Sequence, residues 1–264
     1  MRSAAGAAAA LAAGAVALVA GVVPGAGHHG NEGEAVDTAY VVKRIDRALS
    51  AAGPGDIAHM TVTTSGGTTA TTAEEWSYGN QWRSVTNSPS GHPIYDQGLS
   101  SSSVYTQVSY QRRIWARQPE PASPDKPLSG CELAVAAPLL LFQLGVAGGA
   151  SASSLPATVA GDLRTAISCG TLAVAGRQRV DGTEAIELTS RPGSQWPETI
   201  WVSPDTYLPV RVVARPAPRK PGAAWQTADI TWLPPTTQNL ATLTVPVPAG
   251  FRQVPAGLFA TKSR

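Results

Sequence analysis

The chain has 264 residues, of which 14% are charged, and its formal net charge is +2 at pH 7. A nucleic-acid-binding protein needs a clustered basic field that displaces counterions from phosphates. This sequence has no such cluster, so we expect no nucleic-acid partner. Its length suits one main domain of the all-β kind with a sizeable core.

The amino terminus predicts export. Residues 3–23 carry no charge and match the roughly 20 residues that cross the hydrocarbon core of a bilayer. Arg2 precedes this run, and Glu32, Glu34 and Asp37 follow it, which favours an amino terminus that stays inside. Two alternatives are open, a cleaved signal peptide and a retained membrane anchor.

These features predict the domain organisation and the location of the protein. Residues 1–25 form the signal peptide or membrane anchor, residues 26–33 a flexible linker, residues 34–256 one domain and residues 257–264 a tail. We expect the domain at the outer face of the cytoplasmic membrane, or secreted. The apolar amino-terminal segment is then its contact with the membrane.

The two cysteines, Cys131 and Cys169, follow the export segment. In an oxidising compartment a lone pair is most simply a disulfide, which stabilises the fold by about 3 to 4 kcal/mol in the chain-entropy model. Two buried free thiols are the alternative. Neither cysteine has a CxxC spacing or a nearby histidine, so we expect no metal site.

Three segments have the spacing or composition of helices. Residues 34–52 place apolar side chains on one face and end at a Gly-Pro-Gly sequence. Residues 131–150 are very apolar but are broken by Pro138, which predicts a buried helix and loop insertion rather than a membrane span. Residues 154–169 predict a further amphipathic helix.

The rest of the chain, from residue 56, has the two-residue period of β-strands. In the first part, IAHMTVTTSGG, TTATTAEEWSYG and NQWRSVTNS are consecutive strands, with Gly79-Asn80 as a hairpin turn. Three more strands reach Gln118, and a proline-rich loop follows at residues 119–130. The last third predicts six strands, of which the first two are joined by a turn at Asp181-Gly182 and the final one is NLATLTVPVP.

Residues 198–211, ETIWVSPDTYLPVR, predict a hairpin of two short strands around Pro204-Asp205. Pro209 is tolerable in the second strand only near its start or where a ladder hydrogen bond is missing. Apolar and polar side chains alternate here and in the neighbouring strands, which gives one apolar and one polar face of an antiparallel sheet. The expected fold class is α+β, a strongly curved antiparallel half-barrel of about ten or eleven strands whose concave face is covered by helices.

The carboxy-terminal third resembles the LolA-like superfamily. The resemblance rests on GTEAIELTS, ETIWVSPDTYLPVR, TADITWLPPTTQNL and the late PAGF. That superfamily includes outer-membrane lipoprotein carriers, mycobacterial lipid-carrier lipoproteins and periplasmic sigma-factor regulators of the RseB type. The resemblance implies a half-barrel whose concave apolar face receives acyl chains.

The sequence departs from the superfamily signature at Ser203, where aspartate is common. This change is expected to weaken the hydrogen bonds of the turn, unless Asp205 supplies them instead.

No catalytic motif is present in the sequence. There is no GxSxG, HExxH or phosphate-binding loop, and the GxGxxG match at residues 25–30 lacks the strand and helix that a dinucleotide site needs. His59 and His92 lie in or beside strands, as surface histidines commonly do. Glu74 and Glu75 are neighbours in a strand, so they point to opposite faces and cannot share a proton. We therefore expect neither enzymatic activity nor a cofactor.

The predicted function is an extracytoplasmic lipid- or lipoprotein-binding module that resembles the carriers. The partner is then a lipid acyl chain or a lipidated protein. The alternative is a membrane-anchored sensor whose half-barrel binds a regulatory membrane protein. The residues predicted to line the ligand are apolar side chains of the insertion and of the last strands: Leu139, Leu140, Leu141, Phe142, Ile186, Leu188, Ile200, Val202, Val210, Val212, Ile230 and Trp232.

Overall fold

A computed structural model of the chain describes residues 38–65, 71–119, 166–191, 198–214 and 225–259. Within these ranges no helix is both long and apolar enough to cross a membrane. The predicted export segment and linker lie outside them, so export and the domain boundaries stay predictions.

The described part of the chain contains twelve strands and few helices. Helix α1 spans Thr38–Gly55, helix α2 spans Thr237–Ala241, and a 3-10 helix spans Ala256–Leu258. Residues 166–168 are also helical, which is the described end of the helix predicted at residues 154–169. The strands are β1 Ile57–Ser65, β2 Thr71–Tyr78, β3 Gln81–Asn87, β4 Pro93–Leu99, β5 Val104–Ser109, β6 Ile114–Pro119, β7 Leu172–Val180, β8 Thr183–Ser190, β9 Glu198–Val202, β10 Pro209–Ala214, β11 Trp225–Leu233 and β12 Arg252–Gln253.

All twelve strands belong to one open sheet in the order β12-β6-β5-β4-β3-β2-β1-β11-β10-β9-β8-β7. Strands β1 to β6 and strands β7 to β11 each form a meander, and the antiparallel pair β1–β11 joins the two. Every pair is antiparallel except β12–β6, which is parallel and two residues long. The predicted antiparallel sheet is therefore confirmed, and its described strands do not close into a barrel.

Two of the hairpins follow directly from turn residues in the sequence. Gly79 joins β2 to β3 with φ +57°, and Asp181-Gly182 joins β7 to β8 with φ +50° and +82°. Positive φ at the central residues matches the right-handed twist of the flanking strands, and glycine adopts it without a steric cost. The turn predicted at Gly79-Asn80 is thus confirmed.

The β9–β10 hairpin is present as predicted, but the side chain of Ser203, and not that of Asp205, accepts the hydrogen bonds of the turn. The Ser203 hydroxyl oxygen accepts hydrogen bonds from the backbone N–H groups of Asp205 and Thr206, each at 3.3 Å. The Ser203 N–H donates to the Leu208 carbonyl oxygen at 3.0 Å and closes the turn. Serine thus replaces aspartate without loss of the turn's local hydrogen bonds.

Pro209 is the first residue of β10, which is where a proline is tolerated. It pairs with Val202, and the register then shifts so that Arg211 pairs with Trp201. Val210 is the extra residue of this bulge. The bulge takes Val210 out of the apolar alternation that the sequence predicted, and the buried Pro209 takes that position.

The strand predicted for NLATLTVPVP is wrong. Thr237–Ala241 is a short helix, because the Thr236 hydroxyl caps it by accepting from the Asn239 N–H at 3.2 Å. The chain after it is irregular, although Leu243 and Val245 are buried. Threonine and valine gave this segment the composition of a strand, whereas prolines remove the N–H groups that a ladder needs.

One large apolar cluster holds α1 against the sheet. Helix α1 buries Val41, Ile45 and Leu49 on its apolar face, while Lys43 and Asp46 are exposed, as the helical spacing predicted. The side of the sheet that α1 covers is called the inner face below. The sheet residues of the cluster are Met60, Val62, Ala73, Leu172, Ile186, Leu188, Ile200, Val202, Val212, Ala214, Ala228 and Ile230.

The carboxy-terminal segment, residues 242–259, is fastened to the opposite or outer face. Arg83 donates two hydrogen bonds to the fully buried Asp96, at 3.0 and 2.8 Å, and a third to the Thr242 carbonyl oxygen at 3.0 Å. Val245 then crosses Gly98, where a Cβ atom would lie 2.8 Å from Val245 Cγ2. Glycine is therefore required for this close approach.

The same segment then passes around the β6 edge of the sheet. Strand β12 pairs with Ile114 and Trp115, and Val254 packs on Ile114 and Ala116. Phe259 lies against the Tyr95 ring, with 6.1 Å between the centroids. The carboxy terminus thus covers part of β6 and one end of the inner face.

Replacing Ile45 by alanine should destabilise the domain by about 2 to 5 kcal/mol, because it leaves a cavity between α1 and the sheet. The matched control is Lys43→Ala on the exposed side of the same helix turn, which should change stability by less than about 0.5 kcal/mol. Urea unfolding followed by tryptophan fluorescence measures both. Equal losses in the two variants would contradict the assignment of the α1 apolar face.

Asp96→Ala should cost about 3 to 5 kcal/mol, because it leaves the Arg83 guanidinium partly buried without its counter-charge. Asp229→Ala removes one of the two carboxylate partners of Arg211, whose other partner is Asp181, and should cost at most about 1 kcal/mol because both carboxylates are exposed. The comparison of the two unfolding free energies tests whether the Arg83–Asp96 pair stabilises the domain by holding residues 242–245 on the outer face. A small loss at Asp96 would show that residues 242–245 are held by other contacts.

Candidate functional site

Most of the described residues that were predicted to line a ligand meet on the inner face. Together with Leu172, Val174 and the helical residues Ala166 and Ile167 they pack beneath α1. Trp232 is partly buried at the border of this cluster, and its Nε1 donates to the Pro209 carbonyl oxygen at 3.0 Å. The predicted residues that are buried in the cluster are Ile186, Leu188, Ile200, Val202, Val212 and Ile230.

The remaining predicted residues are not part of this cluster. Val210 is only partly buried, because it is the bulged residue of β10. Leu139 to Phe142 and Cys131 lie outside the described residues. Cys169 is not a free thiol in the structure, but its pairing with Cys131 stays a prediction.

Strands β2 to β5 give the inner face a different, polar character. In the sheet register Met60 is opposite Glu75, Glu75 is opposite Ser84, and Ser84 is opposite Gln97. Gln97 is in turn opposite Gln107. Because directly opposite residues project from the same side of a sheet, these polar side chains form one row that continues from the apolar cluster.

Tyrosine and glutamine side chains connect the far part of this row. Tyr105 Oη donates to Gln97 Oε1 at 2.6 Å, and Gln107 Nε2 donates to Tyr95 Oη at 2.5 Å and to Tyr105 Oη at 2.9 Å. Burial raises the pKa of both Tyr95 and Tyr105, that of Tyr105 to about 12. Both phenols therefore stay neutral at physiological pH and present hydrogen-bonding groups without charge.

Glu75 stands where the apolar cluster meets the polar row. Its side chain is 2% exposed, and Ser84 Oγ donates to Glu75 Oε1 at 3.2 Å. Glu75 Oε2 is buried and has no hydrogen-bond partner among the described residues. Burial raises the pKa of Glu75 to about 8, and the Ser84 hydrogen bond only partly opposes this effect. The carboxyl group is thus neutral at pH 7.

On the outer face, the described residues place a histidine beside a tryptophan and a carboxylate. His59 stacks on Trp76 at a centroid distance of 4.9 Å and lies 3.5 Å from the Glu74 carboxylate. The predicted opposite orientation of Glu74 and Glu75 is confirmed, since Glu74 faces His59 and Glu75 faces the inner side. No group of three or more metal-ligating side chains occurs among the residues that the structure describes.

The sequence reasoning missed the polar row and its buried carboxyl group. Alternation placed Glu74 and Glu75 on opposite faces, but it did not tell which face was covered. The register of the β2–β3 hairpin could have predicted the residue that faces Glu75. The turn at Gly79-Asn80 sets Glu75 opposite Ser84, so a short polar side chain already faced the inner carboxyl group.

Glu75 should make the stability of the domain depend on pH. Below pH 4.5 both the folded and the unfolded chain bind its proton, and between pH 4.5 and about 8 only the folded chain keeps it. Rising pH therefore favours unfolding in this window, by about 1.4 kcal/mol per pH unit, and the effect ends above the folded pKa.

Glu75→Gln should remove this slope and leave the contributions of the other groups unchanged. Urea unfolding of the wild type and the variant across the same pH window measures the difference. Parallel curves for the two proteins would show that Glu75 is ionised in the folded state.

No protein-family model matches the sequence, and no curated protein matches it either. Solved structures do match. LprF from Mycobacterium bovis aligns with a TM-score of 0.41 and 10% identity, over 75% of this chain and 95% of LprF. A LolA superfamily protein from Nitrosomonas europaea aligns with a TM-score of 0.29 and 12% identity, over 78% of this chain and 97% of that one.

The complex of MucA and MucB from Pseudomonas aeruginosa also matches. It aligns with a TM-score of 0.38 and 12% identity, over 78% of this chain and 61% of the matched chain. The structures similar to this chain therefore include the LolA superfamily that its carboxy-terminal sequence resembles. Likenesses this distant concern the fold and assign neither a ligand nor a partner.

Proposed function

We propose that this protein is an extracytoplasmic module that binds lipid or lipidated protein and catalyses no reaction. The observation that carries the proposal is the division of the inner face. On one continuous sheet, strands β8 to β1 present a mainly apolar surface, with the buried Glu198 and Gln226 at one end of it. Strands β2 to β5 present a row of uncharged hydrogen-bonding side chains beside the apolar pair Trp82 and Leu99. An amphiphile carries the same two kinds of surface side by side.

Helix α1 alone is too short to cover this face. Its 18 residues span about 27 Å, whereas twelve strands at a spacing of about 4.8 Å extend over about 53 Å. The carboxyl end of α1 adjoins β1, and its Tyr40 contacts Tyr207 in the β9–β10 turn at a centroid distance of 6.5 Å. Helix α1 therefore covers the apolar part and does not reach across the polar row.

The polar row supports ligand binding because such groups add little to a purely structural core. Buried polar side chains normally find hydrogen-bond partners, since each unsatisfied group costs about 1 to 3 kcal/mol. The inner face nevertheless keeps Glu75 with a free oxygen and Trp82 with a buried Nε1 that has no partner among the described residues. Donors and acceptors of a ligand headgroup would satisfy them.

The location of the module is part of the proposal. The uncharged residues 3–23 support export, with the segment acting as a signal peptide or as an anchor. The regulatory alternative, a sensor that binds a membrane protein, is not favoured by a specific contact in the described residues. It becomes the better interpretation if the inner face takes up no lipid.

The full chain, freed of bound lipid, should take up a monoacylglycerol that carries a fluorescent acyl chain. Gln97→Trp places an indole on the inner face within the polar row and should weaken uptake severalfold. Gln81→Trp places the same side chain on the outer face and should leave uptake unchanged.

Fluorescence titration at equal protein concentration measures both variants against the wild type. Equal uptake by the two variants would locate the lipid away from the inner face. No uptake by the wild type would contradict the proposed function itself.

A further inference from the structure

The described chain has two buried carboxyl groups on the inner face, Glu75 and Glu198, and only Glu75 lies between the apolar cluster and the polar row. One neighbour across the sheet is Met60 of the apolar cluster, and the other is Ser84 of the polar row. A group bound here would touch the apolar surface on one side and the hydrogen-bonding surface on the other. In an acyl lipid the atoms at that junction are those of the ester linkage.

The surroundings of Glu75 contain no charge among the described residues. Ala73 and Ser77 flank it on the same face of β2, Met60 faces it from β1, and Ser84 faces it from β3. The nearest titratable groups on the inner face, Tyr95 and Tyr105, lie further along the row on β4 and β5. A buried carboxylate without a cation is costly, so the group is held as the neutral acid.

The neutral carboxyl group has one unused donor. Ser84 Oγ donates to Oε1, which leaves the proton on Oε2, and Oε2 has no acceptor among the described residues. A buried donor without an acceptor is normally satisfied by a partner, and here the donor lies at the boundary of the two surfaces.

We propose that Glu75 donates a hydrogen bond from Oε2 to the carbonyl oxygen of a bound acyl ester, so that the inner face prefers uncharged esters to ethers and to ionised fatty acids. This inference rests on the proposed function. An ether lacks the carbonyl acceptor. An ionised carboxylate would bring a buried negative charge to a region where the described residues provide no cation.

The inference makes ester recognition depend on the protonation of Glu75. Below about pH 8 the acid donates to the ester, and above it the carboxylate repels the carbonyl oxygen. Glutamine at the same position keeps an N–H donor at every pH. Leucine keeps the volume and removes the donor.

The test uses the full chain freed of lipid and two fluorescent probes with the same chain and glycerol headgroup. One is a monoacylglycerol, and the other is the corresponding alkylglycerol ether, which differs by the missing carbonyl oxygen. At neutral pH the wild type should bind the ester roughly fivefold more tightly than the ether, as one net hydrogen bond predicts. A fatty acid with the same label should bind more weakly than the ester.

Three variants separate the role of Glu75 from a general effect on the fold. Glu75→Leu should bind ester and ether equally, and Glu75→Gln should keep the preference and lose its dependence on pH. Glu74→Leu changes the neighbouring carboxyl group on the outer face and should behave as the wild type. If Glu75→Leu does not fold, the pH dependence of the ester preference, compared between wild type and Glu75→Gln, still tests the inference.

Each outcome has a definite meaning. Equal binding of ester and ether by the wild type overturns the inference and leaves lipid binding in place. A preference that survives in Glu75→Leu, or that depends on pH equally in wild type and Glu75→Gln, also overturns it. Failure of both probes to bind overturns the inference together with the proposed function.

Discussion

The fold depends on the contact between the apolar stripe of α1 and the apolar part of the inner face. All the described strands belong to one open sheet, so within the described residues no second layer of strands covers Ile186, Leu188 and their neighbours. Full burial of each such side chain contributes about 1.5 to 3 kcal/mol relative to exposure, and α1 contributes Val41, Ile45 and Leu49 to it. The helix must therefore lie across the strands of the second meander, and this fixes which side of the sheet is the inner one.

Much of the sheet could be predicted from the sequence because its cause is local. Alternation of apolar and polar residues in β8, β9 and β11 identified the buried side chains, and turn residues at Gly79-Asn80 and Asp181-Gly182 identified hairpins. The amphipathic spacing of α1 identified its buried face. These patterns extend over a few residues, so they can be recognised without knowing which strands pair.

The parts that could not be predicted depend on tertiary contacts. The bulge at Val210 follows from how Pro209 meets Val202, and the helix at Thr237–Ala241 depends on one hydroxyl cap that competes with a strand-like composition. The burial of Glu75 is of the same kind. From the sequence alone, Glu75 is a charged residue in a strand. Its carboxyl group is neutral because it is buried, and the sequence does not tell which face of the sheet is buried. The candidate site is thus predictable in its apolar part and not in its polar part.

The two ends of the sheet differ in a way that bears on self-association. At β6 the carboxy-terminal segment pairs with the backbone of Ile114 and Trp115, which could otherwise pair with a strand from another molecule. At β7, where no described strand follows, the bulge at Ala175 and the exposed Arg177 and Arg179 make the edge uneven and positively charged. Both devices oppose the growth of the sheet from one molecule into the next. A wide open sheet can therefore remain dispersed in solution without closing into a cylinder.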